Sequence, residues 1–477
     1  MMTQKLISTR PFSVYAHHAL KKPLFSFIVA VAFCALVGCA QLPERNELDI
    51  DLNLEDHVDY SLPIAWWDTF QQPQLTLLVE EALGQNFSVK ASQARVTRAS
   101  AVLEVEGSQR YPSVTGELTP RYRYDHDIRA SDTFSSVALK ASWEIDLWGK
   151  NQLSTDIAYF NLLSTQEEYT MNQQALAGNV ARQWYLLHEQ YKAQSLLKQQ
   201  IVNTKKITTI SEQRYRYAQE SISAVWRQEQ LLESLQSQYS QSAFQLHILE
   251  KQMNILLGRS PNTPVSWKYN ESINVPSSNI DAFSSELLGL RPDVRQAWYD
   301  YMGQYYKIGV ARAAELPNIS LSGGLESDEI TELFELWKLD LGVRVNMPIF
   351  SAGRLAAETE QAQTSAEIAF YQYTQTVLEA IQEVELNLID IDSQSAVLES
   401  LNTQINHAEM ILKVELIRYS SGIQSYLDVL DAQERLFSLQ KQKLNAERQL
   451  LLTHISLHQS VAGDISIHPT NTSDKAV

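Results

Sequence analysis

Four segments of the chain alternate between apolar and polar residues, which predicts β-strands with one apolar and one polar face. They form two predicted hairpins, at about residues 113–148 and about 317–350. The apolar faces carry Val114, Leu118, Tyr122 and Tyr124; Val137, Leu139, Trp143 and Ile145; Ile319, Leu321 and Leu325; and Trp337, Leu339, Leu341, Val343 and Val345. Aromatic residues near strand ends are typical of the girdle of a membrane barrel. A soluble sandwich also alternates, so the pattern alone leaves that alternative open.

A very long helical stretch follows each hairpin. Residues 150–260 and 354–462 contain no proline and are rich in alanine, glutamine, leucine and glutamate, which favours helix. Each stretch is interrupted near its middle, at 218–223 and 420–425, where we expect the chain to turn back. Shorter helices are predicted before the hairpins, at about 74–109 and 291–314.

The second half of the chain repeats the first at an offset of about 204 residues. Arg214 recurs as Arg418, and Pro112 before the first hairpin recurs as Pro317 before the second. A unit of this length is too long for a solenoid repeat and indicates a duplicated half-protein. Two similar halves favour a symmetric tube or channel over an enzyme with one buried site.

Four strands are too few to close a barrel, yet a bilayer does not tolerate unpaired strand edges. Bacterial barrels have at least about eight strands, so other copies of the chain must complete the sheet. Two copies supply eight strands, whose interior is filled by side chains, whereas three supply twelve and leave a water-filled lumen. The predicted fold class is therefore mostly α with a membrane β-barrel portion, shared by three protomers, and a long helical barrel.

The pattern divides the chain into six segments. They are a signal peptide at 1–38, an acylated N-terminal segment at 39–73, a first repeat at 74–260, a linker at 261–290, a second repeat at 291–463 and a flexible tail at 464–477.

The N-terminus has the pattern of a bacterial lipoprotein signal. A basic region precedes an apolar stretch that is short for a membrane span, and this stretch ends in Leu-Val-Gly before Cys39. We interpret Cys39 as the lipidation site; the alternative is an ordinary signal peptide with a chance cysteine. Several acyl chains on one residue exceed the two signals needed for stable anchoring, which predicts a lipid-anchored protein. Ala40, rather than aspartate, follows the cysteine, which resembles the pattern that permits sorting to the outer membrane.

Composition and motifs argue against nucleic acid and against catalysis. The formal net charge is −17, and an acidic protein is a poor partner for nucleic acid. The sequence contains no glycine-rich phosphate loop, and we predict neither a cofactor nor an enzyme. His454 and His458 have a possible metal-ligand spacing but are interpreted as a polar helix face. Glu167 and Glu168 are likewise interpreted as solvated helix residues.

The chain resembles the TolC-like outer-membrane efflux channels, in the acylated NodT-type branch. The resemblance rests on five features: the lipobox at Cys39, Trp66-Trp67, Ala94-Arg95, the segment Ser142–Gly149, and Arg418-Tyr419 with Gly422 and Leu427–Ala432. It implies a homotrimer in outer-membrane lipid that docks onto a periplasmic adaptor protein and an inner-membrane RND-type pump. The chain would then be a passive exit duct for small molecules.

The same resemblance places Asp428 and Asp431 in a cation-selective ring at the periplasmic gate. They are three residues apart and follow a turn, so they share one helix face; the alternative is a solvated helix start, where the helix dipole favours aspartate. Tyr419, Gly422 and Gln424 are expected to support the gate turn. Tyr419 is interpreted either as a core aromatic or as a hydrogen-bonding residue between helices.

The first repeat departs from the family pattern. Ala218 stands in place of the usual glycine, and Ala224 stands where relatives often carry an aspartate that holds the gate shut. A register shifted by two residues puts Glu220 and Trp226 at these positions instead. Gln424 replaces a basic residue, so a gate of the usual design is not expected.

Two alternative functions remain open. One is the outer-membrane duct of a type I protein secretion system, which Cys39 argues against because that branch usually lacks the lipobox. The other is a non-conducting envelope scaffold, which would not need strands with a charged face.

Overall fold

A computed structural model describes residues 42–45, 65–127, 130–265, 267–269, 286–327 and 337–461. Cys39, much of the predicted acylated segment and of the linker, and the predicted tail at 464–477 lie outside these residues. The described part is mostly helical with one four-stranded sheet, which confirms the predicted helical content and the four predicted strands. A search of the described helices finds none that is both long enough and apolar enough to cross a membrane.

The elements follow each other in the order that the repeat predicts. A short 3₁₀ helix at Trp66–Phe70 is followed, in order, by α1 (Pro73–Gln85), α2 (Phe87–Ser108), β1 (Ser113–Asp125), β2 (Ala130–Ile145), α3 (Lys150–Arg216), α4 (Ile222–Leu256), α5 (Glu286–Gly289), α6 (Pro292–Ala313), β3 (Asn318–Ser327), β4 (Lys338–Asn346), α7 (Arg354–Ser420) and α8 (Tyr426–Ser460).

The sheet is antiparallel in the order β1-β2-β3-β4, and its register brings the apolar rows together. Leu139 lies opposite Leu325, which lies opposite Leu339. These side chains are exposed on one face, while Lys140 and Glu117 pair at 2.6 Å on the other. The sheet therefore has the two different faces that the alternation predicts.

The long helices show the duplication in their lengths. Helices α3 and α7 have 67 residues each, and α4 and α8 have 35 each. Their starting residues are related by an offset of 204, since 354 − 150 = 204 and 426 − 222 = 204. The two repeats thus keep one register through both long helices and the turn between them.

The chain divides into two compact units. One contains the four strands, the end of α2, the start of α3, the second half of α6 and the start of α7, together with residues 42–45. The other is helical and includes the 3₁₀ helix, α1, α4, α8 and the rest of α3 and α7.

The largest hydrophobic core lies in the helical unit. Trp66, Trp67 and Phe70 of the 3₁₀ helix are buried there beside Trp184 and Tyr185 of α3. Gly178 of α3 contributes by its lack of a side chain, because the Gln459 side chain of α8 fills the space that a Cβ atom would need. Gln459 donates to the Gln174 carbonyl at 3.0 Å and accepts from Arg182 at 2.8 Å.

Candidate functional site at the turns of the long helices

The two turns between the long helices have the same backbone geometry. After α7, the N–H groups of Gly422 and Ile423 donate to the carbonyls of Tyr419 and Arg418, each at 3.0 Å. This is a Schellman-type ending, which needs a left-handed residue, and Gly422 has φ of 77°.

Ala218 takes the position of Gly422 in the first turn and is also left-handed, with φ of 58°. The N–H groups of Ala218 and Gln219 donate to Tyr215 and Arg214 in the same pattern. A left-handed alanine costs about 1–2 kcal/mol, so the hydrogen bonds of the turn impose it. This geometry selects the offset of 204 and excludes the register shifted by two residues.

Tyr419 joins the two repeats. Its side chain is buried, with 2% exposure, and its hydroxyl lies 3.0 Å from the Ser211 hydroxyl and donates to Glu220 Oε2 at 3.1 Å. Burial raises the pKa of Tyr419, so the hydroxyl remains protonated and able to donate. The two interpretations of Tyr419 are both correct, since it is a core aromatic that also bonds across helices.

Arg214 holds Tyr419 from the other side. Its guanidinium carbon lies 4.6 Å from the centre of the Tyr419 ring, and its Nη1 donates to the Tyr419 carbonyl at 2.8 Å. Arg214 Nε is 3.9 Å from Glu220 Oε2, in an ion pair that is largely shielded from solvent. The cation thus contacts the ring, the backbone and the carboxylate at once.

Ala224 is part of the packed interior at this turn. It is 5% exposed and lies in a small hydrophobic cluster with Ile207, Tyr419, Tyr426 and Val429. A carboxylate at this position would be placed among apolar side chains, which is costly without a partner. The alanine therefore fits its surroundings.

Asp428 and Asp431 are both exposed on the first turns of α8. Ser425, the residue before the helix, donates from its hydroxyl to Asp428 Oδ2 at 2.7 Å. Asp431 has its repeat equivalent in Arg227, which is also exposed. The Gln424 N–H contacts the Arg418 carbonyl at 3.4 Å. The gate role of these residues stays a prediction.

Two interpretations of charged and polar helix residues are wrong. His454 and His458 are each 2% exposed and belong to the interior rather than to a polar face. His458 stacks on Trp66 at 5.6 Å and lies 3.2 Å from the Thr69 hydroxyl; burial, and secondarily His454, lowers its pKa to about 4. No group of three or more His, Cys, Asp or Glu side chains in the described residues could hold a metal ion.

Glu167 is the second correction. It is buried beside α6 and pairs with Arg295 Nε at 3.0 Å, while Arg295 also contacts the Tyr299 hydroxyl at 2.9 Å. Burial raises the pKa of Glu167 despite the opposing effect of Arg295. The sequence shows a carboxylate in a helix but does not show that α6 covers it.

Comparison with known proteins identifies the family. The profile described as outer membrane efflux protein matches residues 78–259 and 283–463, which is most of the chain.

The chain belongs to the outer membrane efflux protein family.

Individual relatives are distant but match at nearly full length. Nodulation protein T of Rhizobium leguminosarum bv. viciae is 26% identical over 404 residues, which cover 84% of each chain. The cation efflux system protein CusC of Escherichia coli K12 is 26% identical over 466 residues, which cover 92% of this chain and 99% of CusC. The structure of the outer-membrane channel OprN matches with a TM-score of 0.80 at 21% identity, over 90% of this chain and all of that one.

Membership confirms the resemblance that the sequence motifs carried. The protein is an outer-membrane efflux channel component, as predicted. The comparison assigns no role to Glu220, Arg214 or Ser211, and the motif pattern placed Glu220 at the glycine position only in the shifted register. The one available signal was that Arg214 lies in the repeated Arg-Tyr motif, with Glu220 six residues later.

Proposed function

We propose that the protein is the outer-membrane exit duct of a tripartite efflux system, through which small molecules pass after an inner-membrane RND-type pump and a periplasmic adaptor deliver them. The observation that carries the proposal is the two-faced sheet. One face exposes apolar side chains on all four strands, including Leu118, Leu139, Leu325 and Leu341. An apolar band opposite a charged face is typical of a strand between lipid and a water-filled lumen.

The edges of the sheet support a homotrimer. In the described sheet, β1 and β4 are the outer strands, so each offers a row of backbone groups to another chain. Pairing β1 of one copy with β4 of the next repeats the same contact around a ring. Three copies give three times four, or twelve strands, which is wide enough for a lumen.

Helix α7 carries an apolar stripe that supports the same assembly. The exposed residues of this stripe are Ile368, Tyr371, Leu378, Leu386, Ile389, Val397, Ile411 and Val414. At 100° per residue they fall on one side of the helix. A stripe of this length on a single protein surface marks an interface, and a neighbouring protomer would cover it.

The similarity does not select a substrate. Relatives at 25–26% identity include a cation efflux protein, a toluene efflux pump protein and a pyoverdine export protein. A wide passive duct is compatible with this range, because the choice of substrate then lies with the pump. An RND-type pump and its adaptor are therefore proposed as partners without a named cargo.

Reconstitution tests this function. Purified protein should show three copies by native mass spectrometry in detergent and should form ion-conducting channels in planar bilayers. A trimer that never conducts would favour the envelope scaffold. The type I secretion duct would be favoured if gene deletion stops the export of a secreted protein but leaves drug and metal tolerance unchanged. A stable conducting monomer would contradict the shared barrel, since four strands cannot close one.

The lipid anchor is a separate prediction. Leu42 packs beside Gly309 of α6, and the Tyr305 hydroxyl donates to the Pro43 carbonyl, so residues 42–45 belong to the unit that contains the strands. Mass spectrometry of the mature N-terminus should show an acylated Cys39. Cys39→Ser should weaken membrane attachment in carbonate extraction, and a mature N-terminus at another, unmodified residue would contradict the assignment.

A further inference from the structure

The turn of the first repeat is attached to the second repeat by a compact polar cluster. Ser211, Arg214, Glu220 and Tyr419, which we call the tip clasp, connect the end of α3 and the following turn to the end of α7. The cluster provides two contacts to the Tyr419 hydroxyl, one to its ring and one to its carbonyl. These contacts hold the two turns of one protomer side by side.

Glu220 is the member on which the cluster depends. Its Oε2 atom accepts from the Tyr419 hydroxyl and also lies 3.9 Å from Arg214 Nε. Arg214 Nε is buried and donates no hydrogen bond, so Glu220 supplies the neutralising charge on that side. Hydrogen bonds to a charged group are stronger than those between neutral groups.

The position of Glu220 explains how the first repeat does without a carboxylate at the start of α4. Ala224, at that position, is packed against Tyr419 and Tyr426. Glu220 lies four residues earlier, in the turn itself, where its side chain keeps partial contact with solvent while reaching Tyr419. Its repeat equivalent is Gln424, so the second turn lacks this charge.

We propose that Glu220, positioned by Arg214, is the gate-holding residue of this channel: its bond to Tyr419 keeps the first-repeat turn against the second repeat, and the helical barrel widens at these turns when that bond is released. The proposal rests on the proposed duct function. It assigns the carboxylate that holds the gate to the turn of the first repeat. The holding contact then lies within each protomer and not between protomers. Three copies then carry three independent clasps.

Planar-bilayer conductance tests the clasp directly. Glu220→Ala removes both the bond to Tyr419 and the charge beside Arg214, and we expect the open fraction to rise about tenfold, the shift that corresponds to about 1.4 kcal/mol. Glu220→Gln keeps an acceptor for the Tyr419 hydroxyl but loses the charge, so its effect should be smaller. Tyr419→Phe should resemble Glu220→Ala.

A double variant separates the clasp from general loosening. If Glu220 acts through Tyr419, the Glu220→Ala/Tyr419→Phe pair should conduct no more than the stronger single variant, because the same contact is removed twice. Glu229→Ala is the matched control, since Glu229 is an exposed carboxylate on α4. Native mass spectrometry should show intact trimers for every variant.

Three outcomes overturn the proposal: Glu220→Ala trimers that conduct like the wild type, conductance that falls, or an equal rise in Glu229→Ala. A wild-type trimer that never conducts contradicts the proposed function instead. Hydrogen exchange then still tests whether Glu220 holds the two turns together, because released turns should exchange their amide hydrogens faster. Faster amide exchange in both turns of Glu220→Ala than in the wild type supports the proposed role of Glu220. Unchanged exchange overturns that role.

Discussion

Replacing Asp428 and Asp431 together by alanine is expected to abolish most of the cation preference of the channel. Both side chains are exposed at the start of α8, and threefold symmetry would place two carboxylates from each of three chains around one opening. Fixed charges of one sign at a narrow aperture select the opposite ion. Their influence extends over roughly 8–10 Å at physiological salt. The reversal potential under a salt gradient in planar bilayers measures the change.

Arg227 provides a control of opposite sign. It is the repeat equivalent of Asp431 and is exposed, and its neighbour Gln228 accepts a hydrogen bond from Tyr426 at the start of α8. Its positive charge therefore belongs to the same end of the long helices as Asp428 and Asp431, and Arg227→Ala should increase cation preference. Block by multivalent cations added from the periplasmic side should weaken in the double alanine variant and strengthen in Arg227→Ala. A double variant with wild-type selectivity and block would show that the carboxylates lie away from the constriction.

Breaking the buried Glu167–Arg295 pair is expected to be the most destabilising of the substitutions considered. Glu167 and Arg295 are 7% and 4% exposed, and removing one partner of a buried pair typically costs about 3–5 kcal/mol. Glu167→Leu and Arg295→Met should therefore both lower the thermal unfolding midpoint of the detergent-solubilised protein at pH 7. Arg354→Met, which removes one partner of the exposed Arg354–Glu358 pair, should change the midpoint little.

The pH dependence of the two variants should differ. Burial raises the pKa of Glu167, and Arg295 opposes that rise, so Arg295→Met leaves a carboxyl whose pKa is higher still. A carboxyl with a raised folded-state pKa costs stability when ionised, and the cost disappears as the pH falls and it binds a proton. Arg295→Met should therefore recover, relative to the wild type, between pH 7 and about pH 5.

Glu167→Leu leaves an arginine, which does not deprotonate in proteins. Its loss of stability should therefore persist over the same pH range. Equal recovery of the two variants, or recovery of neither, would show that packing at this site outweighs the charges.

Glu167, His454 and His458 have surroundings that the local sequence pattern does not reveal. A carboxylate or imidazole on a long helix has the same local pattern whether the helix face meets water or another helix. Glu167 is covered by α6, and His458 by the 3₁₀ helix around Trp66. Both partners are more than a hundred residues away along the chain, so the pattern within one helix carries no information about them.

The sequence by itself determined the elements that depend on local periodicity and on the duplication. Alternation predicted four strands, the proline-free stretches predicted the long helices, and the motifs identified the family. Only the tertiary structure decided which polar residues meet between repeats. The left-handed backbone at Ala218 selected one register, and the packing of Ala224 excluded a charge there. The bond from Tyr419 to Glu220 joins residues 199 positions apart. Such contacts arise when distant helices pack together, and residue spacing along one helix does not encode them.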